Sequence, residues 1–379
     1  MENFTAYNPV KLHFGKGVID TLAATVKPLG KKVLLVYGKG SVKRSGLYHK
    51  ISAQLETAGA TIFEYGGIKS NPTVKDVDKA AAVGRDNEVD YIVAVGGGSV
   101  IDSAKIISIT IPVSHSAWKF YEYRAKPVKA VPLVAVLTLA ATGSEMNPFA
   151  VLQNEETGRK DGYGSDLLFP LHSFLDPEVT YTVPRDYTAY GIADLIAHCL
   201  ESYFGKGDCT LSDRFISAII ADAMEWGPHL MNNLTGYDER AAIMYDATMA
   251  LNLMTSYGKA NGDWGVHDLG HILSLLYDIP HGASLSILFP AWMKQLRDPA
   301  GSRISKLGNS LFGTPGVDDT IARFEAFFGT IGSPVRLSQV GIGEDKFEEI
   351  IRVMVRNKAQ GNHFKLTEED YRGIFEWAK

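Results

Sequence analysis

The chain has 379 residues, 45% of them apolar and 21% charged, with 38 Lys+Arg against 43 Asp+Glu for a formal net charge of −5. At roughly 150 residues per domain this length predicts two or three domains, and the apolar content suffices for folding without disulfides, which excludes disorder as the main state. No basic block argues for a nucleic-acid groove or an anionic-membrane surface, and the two cysteines, Cys199 and Cys209, make neither a disulfide framework nor a C-x-x-C site, which fits a reducing cytoplasm.

Met1-Glu2-Asn3-Phe4 has no basic segment leading into an apolar one, so no secretory leader is expected. From residue 32 to about 138, short β-rich runs alternate with helical patterns. Residues 33–37 read as a strand, 45–58 as a helix, 61–65 as a strand, and 73–87 as a helix after the Asn71-Pro72 break. Residues 91–95 form a strand running into Gly96-Gly97-Gly98-Ser99, and 131–137 form another. The longest uncharged apolar run, 130–144, contains Pro132 and falls short of the ~20 residues that span a bilayer, so no membrane segment is expected. Continuous rather than alternating hydrophobicity predicts strands covered on both faces: a Rossmann-like α/β domain with a mainly parallel sheet over 1–184.

After Pro184 the strand signals stop. Apolar residues at i, i+3, i+4 spacing, such as Ile192, Leu195, Ile196, Cys199 and Tyr203, and later Phe324, Phe327 and Phe328, predict an all-helical domain over 185–379. Expected helix caps are Asp186, Asp208 or Thr210, Asp318 and Thr367.

Two chemical signals stand out. The first is a set of small-residue turns after strands: Gly38-Lys39-Gly40-Ser41, Gly96-Gly97-Gly98-Ser99, and Thr142-Gly143-Ser144. Such turns allow close backbone approach and leave N–H groups at a helix start for an anion, although the spacing departs from G-x-G-x-x-G and a plain tight βα turn explains any one of them. Three together line the crevice where open α/β sheets bind ligands. No acidic residue follows the first strand to grip a ribose 2′-OH, while Lys39, Lys43 and Arg44 are close, so the 2′-phosphate of NADP is the expected preference.

The second signal lies in the helical half. Asp194 and His198 are four apart on one helix face, His267 and His271 repeat that spacing on a helix expected to be capped by Asp263, and His281 follows Pro280. A D-x-x-x-H pair alone is usually a surface ion pair. The apolar setting of both helices and the mix of imidazole with carboxylate favour a borderline ion such as Fe²⁺ or Zn²⁺ over Mg²⁺ or Ca²⁺. Spacing leaves His271 open between ligand, proton shuttle and core. Phe149, Trp264, Leu269 and Ile272 are candidate apolar walls, although at helical spacing such residues are more often core.

The turn from Gly96 to Lys105, Ala141-Thr142-Gly143-Ser144-Glu145, and the order Asp194, His198, His267, His281 together resemble the iron-containing, group III alcohol dehydrogenases, within the architecture shared with dehydroquinate synthases. The likeness runs from Phe14-Gly15-Lys16-Gly17 to the helical C-terminus and is strongest to the NADPH-dependent butanol dehydrogenase and aldehyde reductase branch. It implies metal ligands Asp194, His198, His267 and His281, with His271 left near the substrate as a catalytic proton carrier. It also implies a cofactor site at Gly38, Ser41, Asn71, Gly97, Gly98, Ser99, Asp102, Thr138, Thr142, Ser144, Asn147 and Lys160. Many members have Thr-Thr-Ala-Gly-Thr-Gly-Ser-Glu where this chain has Leu137-Thr138-Leu139-Ala140-Ala141-Thr142-Gly143-Ser144-Glu145, so contacts from the missing threonine side chain are not expected.

The resulting expectation is a cytoplasmic, homodimeric, NADP(H)-linked enzyme that uses a divalent ion, iron before zinc, to interconvert small aldehydes such as butanal with primary alcohols. Lys259 is the only Lys or Arg between Tyr245 and Met293, which disfavours a phosphorylated substrate. A non-redox lyase of the dehydroquinate synthase type and a metal-dependent hydrolase are the alternatives; the lyase would need a phosphate-binding Arg/Lys cluster, and the hydrolase would leave the glycine turns purely structural.

Overall fold

The computed structural model describes residues 1–379. The chain divides into two units, Tyr7–Val183 and, separately, Met1–Ala6 with Pro184–Lys379. In the first unit the strands are β1 (Lys11–Phe14), β2 (Lys32–Gly38), β3 (Thr61–Ile68), β4 (Tyr91–Gly96), β5 (Leu133–Leu137), β6 (Phe149–Asn154), β7 (Arg159–Gly164) and β8 (His172–Leu175). Six of them make a sheet in the order β1-β8-β5-β4-β2-β3, every neighbouring pair parallel, while β6 and β7 form an antiparallel hairpin. The helices are α1 (Leu22–Val26), α2 (Ser41–Arg44), α3 (Leu47–Thr57), α4 (Val74–Asp86), α5 (Gly98–Thr110) and α6 (Trp118–Tyr121).

The continuous apolar runs are the inner strands. Residues of β4 and β5 are buried along their whole length and Val33 to Val36 of β2 are fully enclosed, because a parallel sheet with helices on its faces leaves neither side to water. Leu47, Ile51 and Leu55, one stripe of α3, pack with Val33, Leu35, Tyr91 and Val93 in one core. Thr73 starts α4 by accepting the Asp76 backbone N–H. The helix expected over 45–58 is α3, and a short helix, α2, precedes it across Gly46, which takes a left-handed φ of 80°. Strands β1 and β8, at one end of the sheet, give no periodic signal in the sequence: each is four residues long and carries a histidine.

The second unit has no strand. It consists of α7 (Arg185–Phe204), α8 (Thr210–Asn232), α9 (Tyr237–Ala250), α10 (Gly265–Tyr277), α11 (His281–Gln295), α12 (Gly301–Phe312), α13 (Val317–Thr330), α14 (Phe347–Asn357) and α15 (Glu368–Ala378). Thr367 caps α15 reciprocally with Asp370. The other expected caps are displaced: α7 follows Pro184, α8 follows Cys209 and α13 follows Gly316, so Asp186 and Asp318 sit inside first turns, where their charge meets the positive helix end. Residues 1–6 belong here rather than with the sheet, since the Glu2 N–H donates to Gly258 O at 2.9 Å and Phe4 stacks on Tyr257.

From Gly191 to Phe204 every residue of α7 is buried, polar ones included, which marks it as the unit's central helix. The helix α11 runs against it. A Cβ on Gly282 would overlap the Tyr190 carbonyl, so only glycine lets α11 begin this close to α7.

Candidate functional site

Within the α/β unit the chain passes from β2 outward to β3 and then back to β4 on the other side of β2. The loops after β2 and β4 therefore diverge at a topological switch point, the usual ligand crevice of an open α/β sheet. Gly38 ends β2 and Ser41 opens α2, exposed; Gly97 precedes α5, and Gly98 is its first residue. A Cβ on Gly98 would lie 2.5 Å from the Thr142 side chain, so that glycine lets the turns after β4 and β5 touch. The Thr138 N–H donates to Gly96 O at 3.0 Å, binding the same two turns.

Asp102 on α5 accepts from Ser144 Oγ at 2.5 Å and from the Val151 N–H at 2.8 Å. Burial pushes its carboxyl up, and nearby Lys105 pulls it back. Lys105, itself lowered to about 8 by burial, donates to Asn147 O (2.8 Å), Asn147 Oδ1 (3.0 Å) and Phe149 O (2.7 Å). Lys160 on β7 is buried and donates to Asn71 Oδ1 at 2.9 Å, and Ser99 Oγ donates to Ser70 O. The cofactor residues expected in this unit thus form neighbouring turns braced by two buried lysines. Lys43 is turned aside: its ammonium lies 4.9 and 4.5 Å from the ring centres of Tyr37 and Tyr48 and 3.9 Å from Glu64, which accepts both tyrosine hydroxyls.

In the helical unit, Asp194 and His198 come from α7, His267 from α10, and His281 is the first residue of α11. Asp194 Oδ1 lies 3.6 Å from His198 Nε2, 3.8 Å from His267 Nε2 and 3.9 Å from His281 Nε2. Those separations exceed hydrogen-bond reach; ligand atoms about 2.1 Å from a tetrahedral ion sit roughly 3.4 Å apart. Ligand atoms of Asp194, His267 and His281 are mutually within 4.8 Å. His198 is less central, reaching the same carboxylate oxygen with its ring 4.9 Å from that of His267. One carboxylate with imidazoles, nearly all buried, is a donor set that fits Fe²⁺ or Zn²⁺. His271 lies one turn beyond His267, buried, with its ring 5.3 Å from that of His281.

The two halves of the chain each match a family description: residues 9–177 that of iron-containing alcohol dehydrogenase, and residues 188–378 that of the C-terminal part of the Fe-containing alcohol dehydrogenase family. The chain belongs to the iron-containing alcohol dehydrogenase family. It is 41% identical to the probable NADH-dependent butanol dehydrogenase 1 of Bacillus subtilis, across 99% of both chains. It is 33% identical to the NADPH-dependent aldehyde reductase YqhD of Escherichia coli, across 100% of both. The crystal structure of NADH-dependent butanol dehydrogenase A from Thermotoga maritima superimposes with a TM-score of 0.95 at 35% identity, covering 100% of this chain and 99% of that one. As a member of that family the chain is an oxidoreductase of the alcohol dehydrogenase and aldehyde reductase class, and the family implies a nicotinamide cofactor and a divalent metal.

Sequence reasoning passed over one residue beside the metal-type cluster. Glu201, 1% exposed, accepts the backbone N–H of His267 at Oε1, and Nδ1 of the same residue lies 2.9 Å from that oxygen. Burial raises its carboxyl to about 8, while N–H groups of His267, Trp264 and Val266 act in the opposite sense. The signal was present: Asp194, His198 and Glu201 stand at i, i+4 and i+7, one stripe of an otherwise apolar helix. Trp264 also differs from a core residue, since it holds a left-handed φ of 64° with its ring 5.1 Å from His267 and 6.2 Å from His198. Leu269 and Ile272 are core, whereas Phe149 is 41% exposed.

Proposed function

We propose that this enzyme is a divalent-metal-dependent, NADP(H)-linked reductase of small uncharged aldehydes, and dehydrogenase of the matching primary alcohols, butanal and butanol among them. The observation that carries the reading is the convergence of Asp194, His267 and His281 from three helices, with His198 on the same carboxylate oxygen. In this reading those four residues hold the ion, Fe²⁺ first and Zn²⁺ second, because imidazole suits both and Mg²⁺ or Ca²⁺ prefer oxygen. When bound, the ion polarises a carbonyl and the reduced nicotinamide supplies the hydride. The turns after β2, β4 and β5, with Asn71, Asp102, Asn147 and Lys160, orient the nucleotide. His271, buried beside His281, passes the proton that the product alcohol needs.

An uncharged substrate is supported by the state of Lys259, the one cation between residues 245 and 293: its ammonium is 3.0 Å from Asp213 and donates to Ser202 O, so it is committed within the fold. The same point disfavours a lyase acting on a phosphorylated substrate. Preference for NADP(H) is supported by residues 38–44, which contain no acid and carry Lys39 and Arg44 besides the diverted Lys43. The relatives divide on this: the Bacillus and Thermotoga proteins are named for NADH and the Escherichia protein for NADPH. A homodimer is proposed on the exposed edge of the sheet at β1, where Phe14 is 36% exposed, and a reducing cytoplasm on the two free, buried cysteines.

The test is butanal reduction followed by nucleotide absorbance with NADPH and NADH, before and after chelation. Higher kcat/KM with NADPH and loss of activity on chelation are expected, with recovery on adding Fe²⁺ or Zn²⁺. NADH used at least as efficiently would overturn the nucleotide preference, and full-speed reduction by metal-free protein would overturn the metal's role.

A further inference from the structure

We propose that Glu201 is a positioning residue for the metal-type cluster: it fixes the His267 imidazole in the tautomer that offers Nε2 to a divalent cation. The inference rests on the metal-ligand reading of Asp194, His198, His267 and His281 given above. Glu201 Oε1 is 2.9 Å from the His267 backbone nitrogen and 2.9 Å from its Nδ1. A backbone N–H only donates, so Oε1 is an acceptor whatever proton the other oxygen carries. In the proposal Nδ1, at the same distance from that oxygen, is its second donor. An imidazole protonated at Nδ1 keeps its lone pair on Nε2, and Nε2 is the atom that lies 3.8 Å from Asp194 Oδ1.

The geometry also shows why Glu201 stays put. It comes from the fully buried stretch of α7, and N–H groups of Trp264 and Val266 bond to it as well as that of His267. Trp264, which precedes α10, supplies no side-chain cap; Asp263, the residue before it, accepts the Gly265 N–H at 3.3 Å, and the N–H groups of Val266 and His267 are met by Glu201 from another helix. One side chain therefore ties α7 to the start of α10 and orients the ring that α10 carries. Outer partners of this kind set the orientation and basicity of histidine ligands.

The experiment measures metal affinity rather than turnover. The full-length protein and its Glu201→Leu, Glu201→Gln and Asp194→Asn variants are stripped of metal and titrated with Zn²⁺, and anaerobically with Fe²⁺, against a competing chelator. Glu201→Leu is expected to weaken binding about 10–100-fold, while Glu201→Gln, whose carbonyl still accepts both bonds, stays within about threefold of the parent. Parental affinity in Glu201→Leu, or equal losses in both Glu201 variants, would overturn the proposal. If Glu201→Leu does not fold, ¹⁵N spectra of histidine-labelled, metal-free parent protein decide, with the His267 signal assigned by its disappearance in His267→Gln. An Nδ1-protonated ring supports the inference and an Nε2-protonated ring sinks it. Parental affinity in Asp194→Asn would instead bring down the metal reading, leaving the tautomer result to stand or fall separately.

Discussion

At the scale of single residues, the side chains around Asp194 differ in how firmly the fold commits them. His271 is the one whose spacing left three roles open. It is buried next to His281 but lies outside the group whose ligand atoms are mutually within 4.8 Å. As a proton carrier it should be dispensable for the ion and important for the reaction. His271→Ala is expected to retain full metal content by elemental analysis and to lose about 10²-fold in kcat, the usual worth of a positioned acid or base; a variant that arrives without metal would recast the residue as a ligand or its support. The identity and spacing of Asp194 and His198 were legible because a single helix enforces their common face. The link from Glu201 to His267 was not, since it joins residues 66 apart.

At the scale of elements, one buried carboxyl lies where α8 and α9 pack together. Asp246 on α9 faces Asp222 of α8, and burial first, then the Asp222 charge, raises the Asp246 carboxyl to about 8. A carboxyl near 3.8 in the unfolded chain and near 8 in the folded one keeps its proton only in the fold across that interval, so the unfolded state binds fewer protons and stability falls as pH rises from about 4 to about 8. Thermal unfolding of the metal-free protein should show a Tm that declines between pH 5 and 8, and Asp246→Asn should flatten the decline; an unchanged slope in the variant would show that the pair does not govern it. Element positions were partly legible. The inner strands declared themselves by unbroken apolar runs, and α15 by its Thr367 cap. The starts of α7, α8 and α13 did not, because these helices follow Pro184, Cys209 and Gly316 and have no side-chain cap to betray them.

At the scale of the molecule, a bound ion would connect α7, α10 and α11, which otherwise meet through packing that includes the tight Gly282 approach. An ion that binds only the folded chain adds stability by mass action, about 2.7 kcal/mol at a concentration 100 times its Kd. Chelation should lower the Tm and re-addition of Fe²⁺ or Zn²⁺ should restore it, while Asp194→Asn should show the low Tm with or without metal; a Tm indifferent to chelation would count against a bound ion. No helix is long and apolar enough to cross a membrane.

By itself the amino-acid sequence determined the α/β-then-helical class, the three small-residue turns, and which side chains had metal-binding chemistry, because each is a local property written in composition, period or short spacing. Only the tertiary structure decided that Asp194, His267 and His281 share one locus, that Lys43 turns to Glu64, that Lys259 is spoken for by Asp213, and that Glu201 holds His267. Those are contacts between residues far apart in the chain, chosen by how buried helices and strands pack, and no local pattern encodes them.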